Sequence, residues 1–323
     1  MTQPIIAGVD VSKDRLDVTF YDGEKQKSHD IAYTTQAFNS LIKPYQDKQI
    51  HVVCEATGNY HLRLGKIAHD TGLKFSSVNP FIIKRYGDIW MKRAKTDRVD
   101  SRLIAQYGYE YTPENTEQVS PSRMTMQQIL KTIDDLHNTE SEYRNRLEAH
   151  SVNPYGIGDV EAVYTQILET VKIERKKLED QLIGIVQTKH KEPYELLLSI
   201  PGIGTIGASV IIAFFGKFEG FDTSKQVISY IGTSPVVKQS GQYKGKTMIS
   251  HMGNPYLRKK LYMCAISARR YNPHCAPLYQ RLIEKGMAKK PATIAVLNKL
   301  VRQAFGVLKS NKVFEPNIGK INT

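Results

Sequence analysis

Residues 5–20 read IIAGVDVSKDRLDVTF. The run Ile5–Val9 is apolar throughout, which is typical of a buried strand, and Asp10 ends it. Residues 16–20, LDVTF, then alternate apolar and polar side chains, which predicts a second strand with one face in solvent. An apolar strand that ends in an acid and turns back into a second strand indicates a mixed or antiparallel sheet with a carboxylate at its edge.

The rest of the first third alternates further strands with helices. Apolar or alternating runs predict strands near 27–33, 51–54 and 75–78, and helices near 35–45, 60–69, 81–90 and 98–109. Three strands followed by helix–strand alternation favour an α/β fold, a mixed sheet flanked by helices, for residues 1–110.

A second segment, 111–194, has a different period. Apolar residues recur there in steps of three and four, first over 126–147 and again over 164–185. SVNPYGIG at 151–158 interrupts the pattern with Pro and Gly. We therefore predict two long helices that form a coiled coil or hairpin, either as a linker packed on its own chain or as an oligomerisation element.

The third segment, 195–323, is predicted to be mostly helical. Apolar helices flank Pro201-Gly202-Ile203-Gly204, which resembles a helix–hairpin–helix element. In such a turn Gly202 and Gly204 let backbone N–H groups approach a nucleic-acid phosphate. The alternative is a tight turn between two helices that contacts no ligand.

Composition narrows the class of protein. Of 323 residues 41% are hydrophobic and 24% charged, as in a folded globular chain, and the net charge is +13. The excess is concentrated in 195–323, which sums to +14 and indicates a polyanionic partner or a solvated basic surface. No apolar run is long enough to span a membrane, no secretory signal is visible, and the three cysteines lack metal-site spacing.

Four carboxylates have positions that suit divalent metal binding. Asp10 and Glu55 end predicted strands, and Asp97 and Asp100 lie three apart at a predicted helix start. Mg²⁺ prefers carboxylate oxygens, and two such ions can stabilise the attacking and leaving oxygens of phosphoryl transfer. Taken singly, each acid could instead be a helix cap or a surface charge without a catalytic role.

Eight stretches of the sequence carry recognisable motifs. Four lie in the N-terminal third: GVDVSKDRLDV (8–18), EATGNYHLRL (55–64), NPFIIKRY (79–86) and AKTDRVDSRLIA (94–105). Four lie in the last third: SIPGIGTIGASVIIAFFG (199–216), YIGTSPVVKQSGQYKGK (230–246), ISHMGNPYLRKKLY (249–262) and KKPATIAVLNKLV (289–301). Together the eight stretches resemble the DEDD transposases of insertion sequences, a family related to the Piv-type DNA invertases. The chain departs from the family pattern at Ser101, where alanine is usual.

The resemblance implies a RuvC-like, ribonuclease-H-type N-terminal domain and a serine-bearing C-terminal domain. It makes Asp10, Glu55, Asp97 and Asp100 the metal-binding tetrad, for Mg²⁺ with Mn²⁺ as a substitute. It makes Ser240 of a Ser-Gly motif the nucleophile that forms a phosphoserine link to DNA. From the residues alone Tyr243 is an equal competitor. The resemblance also implies guidance by a noncoding bridge RNA.

Basic residues near these motifs are candidates for nucleic-acid contact, or are simply solvated. They are Lys92, Arg93, Lys95, Lys238, Lys244, Lys246, Arg258, Lys259 and Lys260.

The resulting hypothesis is a DNA transposase or site-specific recombinase of a bacterial insertion sequence. It would act in the cytoplasm, at the nucleoid, on double-stranded donor and target DNA, as a homodimer or homotetramer. Three alternatives stay open: a RuvC-type hydrolytic junction endonuclease, a site-specific DNA invertase, and a nucleic-acid-binding or scaffolding protein with a decayed site.

Overall fold

A computed structural model describes most of the chain. It covers residues 4–45, 48–56, 58–89, 97–236, 239–240, 243–244, 248–250 and 252–316, without the side chains of 97–99, 236, 239–240, 243–244 and 248. The chain divides into two compact units, Met1–Gln118 and Val119–Thr323. Both predicted long helices fall in the second unit, and the three-segment boundaries at 110 and 194 stay predictions.

The first unit is built on a five-stranded mixed sheet. The strands are β1 (Ile5–Val11), β2 (Arg15–Tyr21), β3 (Gln26–Ala32), β4 (Ile50–Glu55) and β5 (Lys74–Val78). Their order is β3-β2-β1-β4-β5, with β1, β2 and β3 antiparallel and β1, β4 and β5 parallel. All five strands occur where the sequence pattern predicted them.

Four helices cover the two faces of the sheet. They are α1 (Thr35–Ile42), α2 (Tyr60–Asp70), α3 (Pro80–Ile89) and α4 (Asp97–Tyr111). Phe38 of α1 and Leu64 of α2 pack with Val52 on one face, whereas Ile83 of α3 and Ile104 of α4 share the other face with neighbouring strand residues. Because both faces are covered, the central strands β1 and β4 are buried along most of their length.

The prediction that one face of β2 is in solvent was wrong at Thr19. Thr19 is fully buried, and its hydroxyl lies 2.9 Å from the Oγ of Ser101 in α4. A helix ~80 residues downstream covers this face, so the polar residue reflects a buried hydrogen bond and not exposure to water.

A short segment after α4 runs along the outer edge of β5. The backbone N–H of Thr116 donates to Phe75 O at 2.7 Å, and the N–H of Phe75 donates to the side chain of Asn115 at 3.0 Å. The N–H of Ser77 donates to Thr116 Oγ1 at 2.9 Å. We call residues 113–116 the edge strap.

The second unit is mostly helical, as predicted. Its helices are α5 (Pro121–Ser151), α6 (Gly158–Lys189), α7 (Lys191–Leu198), α8 (Thr205–Phe215), α9 (Ser224–Ile231), α10 (Pro255–Tyr271), α11 (Cys275–Glu284) and α12 (Lys289–Ser310). Helix α8 is buried along nearly its whole length and forms the centre of the core. The predictions had no helix at α9 or α11.

Helices α5 and α6 pack as an antiparallel pair, and the break between them lies at 152–157, within the predicted interruption. Glu140, which interrupts the apolar seam of α5, is buried and forms ion pairs with Arg144 of the same helix and Arg175 of α6. Ring contact between Tyr143 and Tyr164 continues the packing toward the connecting turn. A coiled coil, as opposed to a simple helical pair, stays a prediction.

No helix in the described part of the chain combines the length and the hydropathy that a bilayer-crossing segment requires. The three cysteines are buried and free.

Candidate active site

Asp10 and Glu55 lie side by side where the parallel inner strands β1 and β4 finish. We call this end of the sheet the carboxylate edge. The parallel register pairs Val9 of β1 with Cys54 of β4, so the next residues, Asp10 and Glu55, occupy neighbouring strand ends. Both are partly exposed. Burial raises the pKa of the Cys54 thiol, and the nearby carboxylates of Glu55 and Asp10 raise it further. Both acids therefore act electrostatically on the same buried atom.

Packing of α4 brings the backbone at Asp100 to the same edge. A side chain at Gly8 would overlap the backbone of Ser101 and Ala105, and one at Gly108 would contact Ile6, so α4 runs antiparallel to β1 in close contact with it. Glycine at position 8 is what permits this approach. Asp100 precedes Ser101, and the first turn of α4 therefore lies level with Asp10.

A chain of hydroxyl groups fixes this turn to the sheet. Ser101 Oγ lies 2.9 Å from Thr19 Oγ1 on β2, and Thr19 Oγ1 lies 2.9 Å from Ser28 Oγ on β3. Arg102 Nε donates to Ser28 Oγ at 3.3 Å. The departure from the family pattern at Ser101 thus has a structural partner, since Ser101 and Thr19 share a hydrogen bond that an alanine side chain could not form.

Two acids that the sequence reasoning missed lie beside Asp10 on the neighbouring antiparallel strands and form an acidic row with it. In the antiparallel ladder Asp17 of β2 is the direct partner of Asp10, and Asp30 of β3 is the partner of Asp17. Asp30 accepts from Arg15 Nε at 2.7 Å. Residues that are direct partners on neighbouring strands lie on the same face of the sheet. Asp17 could have been found from the sequence by pairing residues 16–20 with the end of the first strand.

The donor set fits a hard divalent cation in its chemistry. Three strand-end or helix-start carboxylates supply only oxygen ligands, which Mg²⁺ and Mn²⁺ prefer. Among the described side chains no group of three or more His, Cys, Asp or Glu is close enough to hold an ion. The side chain of Asp97, the fourth predicted ligand, lies outside that description, while its backbone begins α4.

The other predicted catalytic residue, Ser240, lies in the second unit on a ribbon of short strands. Pro235–Val236 (β6) pairs with Met248–Ile249 (β9), and Gln239–Ser240 (β7) pairs with Tyr243–Lys244 (β8). Ser240 is the cross-strand partner of Tyr243, so the two competing nucleophiles are direct neighbours in this strand pair. Their side chains are outside the described part of the structure.

The base of this ribbon is closely packed. Gly253 approaches Gly232 so closely that a side chain at either position would overlap the other's backbone. Thr233 Oγ1 donates to Asn298 Oδ1 at 2.6 Å, and Arg258 Nη1 donates to Ile231 O at 3.1 Å. The chain at 231–233 and at 253 is therefore held in place by α9, α10 and α12.

The turn Pro201–Gly204 is explained in part by packing. Gly202 has φ of 104°, and a side chain there would overlap Ala268 of α10. Asn272 Nδ2 donates to Pro201 O at 2.9 Å. Gly204, in contrast, is exposed at the start of α8 with nothing within 4 Å of a Cβ. A helix–hairpin–helix contact to nucleic acid stays a prediction.

Several of the predicted phosphate-contacting residues have partners within the chain. Lys259 and Lys260 bind Asp134 of α5 at 3.1 and 2.9 Å, and Arg258 supports the ribbon base. Burial of Asp134 raises its pKa, but hydrogen bonds and charge from the two lysines outweigh burial and leave the pKa lowered. Five others lie outside the described residues, and only the backbone of a sixth, Lys244, is described; the five are Lys92, Arg93, Lys95, Lys238 and Lys246.

Comparison with known families places the chain. Residues 7–151 match a transposase model of the DEDD IS110 type, and residues 194–280 match the transposase IS116/IS110/IS902 family. The two matches cover both candidate catalytic regions. Together with the acid-edged sheet they define an enzyme that rearranges DNA, a transposase or recombinase.

The chain belongs to the IS110/IS116 family of transposases. It is 27% identical over 321 residues to the pilin gene-inverting protein of Moraxella lacunata, in an alignment that covers 96% of this chain and 98% of that protein. The corresponding protein of Moraxella bovis is 27% identical over 323 residues. A 43.6 kDa protein of insertion element IS110 from Streptomyces coelicolor is 25% identical over 202 residues, 62% of this chain and 47% of that protein. The predicted family is thereby confirmed.

Proposed function

We propose that this transposase cuts and rejoins DNA by transesterification, with Ser240 as nucleophile and with acidic residues of the first unit as a divalent-metal site. The observation that carries the proposal is the convergence of Asp10, Glu55 and the start of α4 at one sheet edge. The strand order β3-β2-β1-β4-β5, with three antiparallel strands followed by two parallel ones, supports a RuvC-like, ribonuclease-H-type assignment.

The metal site is proposed on Asp10, Glu55, Asp97 and Asp100. Mg²⁺, or Mn²⁺ in its place, would supply charge stabilisation for the pentavalent phosphate. The chain's own contribution is positional: β1 and β4 fix two carboxylates, and the Ser101–Thr19 hydrogen bond fixes the helix turn that carries the others.

In the proposed reaction Ser240 Oγ attacks a backbone phosphorus and loses its proton. An Oγ–P bond forms as one P–O bond of the DNA strand breaks, and the released strand oxygen takes up a proton. Rejoining reverses these bond changes with a different strand oxygen as the attacking group. No water is consumed, so the energy of the phosphodiester bond is retained for strand exchange.

A trapping experiment tests the nucleophile. The wild-type chain incubated with labelled double-stranded DNA and Mg²⁺ is expected to give a denaturant-resistant protein–DNA adduct, absent in Ser240→Ala and present in Tyr243→Phe. The tyrosine variant is the matched control because Tyr243 is the ribbon partner of Ser240. An adduct lost only in Tyr243→Phe would reverse the assignment, and free cut ends with active Ser240→Ala would indicate a hydrolytic junction endonuclease.

Site-specific inversion is a second candidate outcome of the same chemistry. It is favoured by the two Moraxella proteins, which are named for inverting a pilin gene and align over nearly the full length. Supplying one plasmid with sites in inverted orientation and another with a separate target distinguishes inversion from transposition. Recovery of inverted product alone would identify an invertase.

We further propose a noncoding bridge RNA as guide, a homodimer or homotetramer as the active assembly, and the bacterial cytoplasm as the place of action. The +14 charge of residues 195–323 supports a polyanionic partner. Sequencing of nucleic acid that co-purifies with the chain tests the guide, and light scattering with and without DNA tests the assembly. A purified sample that contains only random cellular RNA would contradict guidance by a bridge RNA.

A further inference from the structure

The second unit contains a recess of about 350 Å³ beside α12. Helix α12 forms one wall, and the chain that follows it turns back to form the other. The residues that matter for its chemistry are Lys299, Arg302 and Gly306 of α12, His274 before α11, and Lys312 and Phe314 of the returning chain.

The returning chain is held in place. Asn311 ends α12 in the left-handed conformation, with φ of 55°, and its Nδ2 donates to Glu192 Oε1 at 2.6 Å. The N–H of Phe314 donates to Ser199 Oγ at 2.8 Å, and its ring meets His274 edge to face at 5.6 Å. The recess is therefore formed by the folded chain itself, before any ligand binds.

The recess is basic, and its cations lack acidic partners. Within the described ranges Lys299, Arg302 and Lys312 form no ion pair, whereas Lys217 and Lys260 elsewhere in the unit do. Glu315 is the one acid among the lining residues. Over 269–316 the chain has ten Lys and Arg and two Glu. Uncompensated charge around a concave site attracts an anion more strongly than the same charge on a flat surface.

Gly306 gives a second, independent indication that a ligand binds in this recess. It lies inside α12, where glycine is less favourable than alanine because more backbone freedom is lost on folding. Nothing lies within 4 Å of the position that its Cβ would occupy, so packing in the folded chain does not require glycine. Glycine at a concave surface allows close approach of a ligand to the backbone.

We propose that this recess binds one unpaired nucleotide of a single-stranded nucleic-acid segment. The phosphate would lie between Lys299, Arg302 and Lys312, and the base against the rings of Phe314 and His274. The volume suits one nucleotide, whereas bases in a duplex are stacked and cannot enter. The inference rests on the proposed function only in taking nucleic acid as the polyanion, and it is independent of Ser240 and the carboxylates.

The test measures binding of the full-length chain to labelled twelve-nucleotide DNA, RNA of the same sequence, and the matched DNA duplex by fluorescence anisotropy. The double variant Lys299→Gln/Arg302→Gln is expected to weaken binding of at least one single strand by about tenfold. The control, Lys176→Gln/Lys177→Gln on α6, removes the same net charge from surface ion pairs. The duplex should change no more with the recess variant than with the control.

A second variant separates binding from folding. Gly306→Leu fills the recess and removes a mid-helix glycine, so it should raise the melting temperature while weakening single-strand binding. Gly184→Leu is its match, because Gly184 also lies inside a helix with open space at Cβ. It should raise the melting temperature and leave binding unchanged.

Loss for DNA alone, RNA alone or both supports the site and identifies its ligand. The proposal is overturned if both recess variants bind single strands as their controls do, or if duplex binding falls equally. Because strand transfer is not measured, this failure would leave the Ser240 proposal intact.

Discussion

The two candidate catalytic elements differ in how the chain holds them. Asp10 and Glu55 lie in the last two positions of strands that are buried on both faces, and the helix turn at Asp100 is fixed by contact with Gly8 and by the Ser101–Thr19 hydrogen bond. Ser240 lies on a pair of two-residue strands, and the close packing described near them is at Gly232 and Gly253. The hydrophobic core under the sheet positions the carboxylates, whereas the packed contacts nearest to Ser240 are several residues away along the chain. Substitutions under the sheet should therefore disturb chemistry through packing, while substitutions in the ribbon should act locally.

The largest expected effect is on the carboxylate edge. Asp10→Asn removes one negative charge while it keeps the side-chain shape, so strand transfer should fall by about a thousandfold or more. DNA binding, measured by anisotropy, should remain. Asp70→Asn is the control, because Asp70 forms an exposed ion pair with Lys66. Normal recombination by the Asp10 variant would remove the basis of the proposed metal site.

The next largest effect concerns the packing beneath that edge. Gly8→Val places a side chain against the backbone of α4, and the overlap should lower the free energy of unfolding of the first unit by about 3 kcal/mol. Gly184→Val, where a Cβ meets nothing within 4 Å, should show no comparable loss. Chemical denaturation followed by circular dichroism measures both. Equal stability of the two variants would contradict the close contact between β1 and α4.

A pH effect arises in β4, the strand that carries Glu55. Burial, aided by the charge of Lys74, lowers the pKa of His51 to about 4. Ser76 Oγ, 2.7 Å from His51 Nε2, gives its own proton to a backbone carbonyl, so His51 donates from Nε2 and is neutral. Nδ1 has no partner in the described structure.

Because the unfolded chain binds a proton below about pH 6.5 and the folded chain does not until about pH 4, stability should fall as pH drops through this window. The loss attributable to His51 is about 2 kcal/mol between pH 7 and pH 5. Denaturation of wild type and His51→Gln at both values measures it, since the variant lacks the titrating group. An identical pH dependence in the two proteins would show that His51 titrates normally.

The smallest effect extends the comparison to the helical pair of the second unit. Glu140→Gln removes the buried one of the two acids that pair with Arg175, while Glu179 still pairs with it, and should cost about 1 kcal/mol. Glu142→Gln breaks a similarly spaced pair with Arg146 that is half exposed on both sides, and should cost less than ~0.5 kcal/mol. Thermal unfolding of the two variants provides the measurement. Equal costs would mean that burial at Glu140 contributes nothing.

The strands and most long helices of the chain could be predicted because their patterns are local. Alternation at 16–20 and the apolar run at 51–54 each indicate a strand without knowledge of any partner. The burial of Thr19 could not be predicted, since it depends on a helix more than 75 residues away. The same limit explains Asp17, whose place in the acidic row follows from strand register and not from any spacing in the sequence.

The candidate site divides along similar lines. Strand-end carboxylates are visible in the sequence, and the structure brings Asp10, Glu55 and the Asp100 turn to one edge. Ser240 follows from the family resemblance, because Ser-Gly is an ordinary turn dipeptide. Lys259 and Lys260 illustrate a further limit: their charge is apparent from the sequence, but their pairing with Asp134 depends on how α10 packs on α5.

The edge strap along β5 has a consequence for assembly. An outer strand with unpaired backbone groups offers a template on which a strand of another chain can add, which leads to aggregation or swapped dimers. In this chain Asn115 and Thr116 already occupy the hydrogen-bonding groups of Phe75 and Ser77. A second copy of the chain therefore cannot add a strand at β5, and any contact with this outer strand has to use side chains.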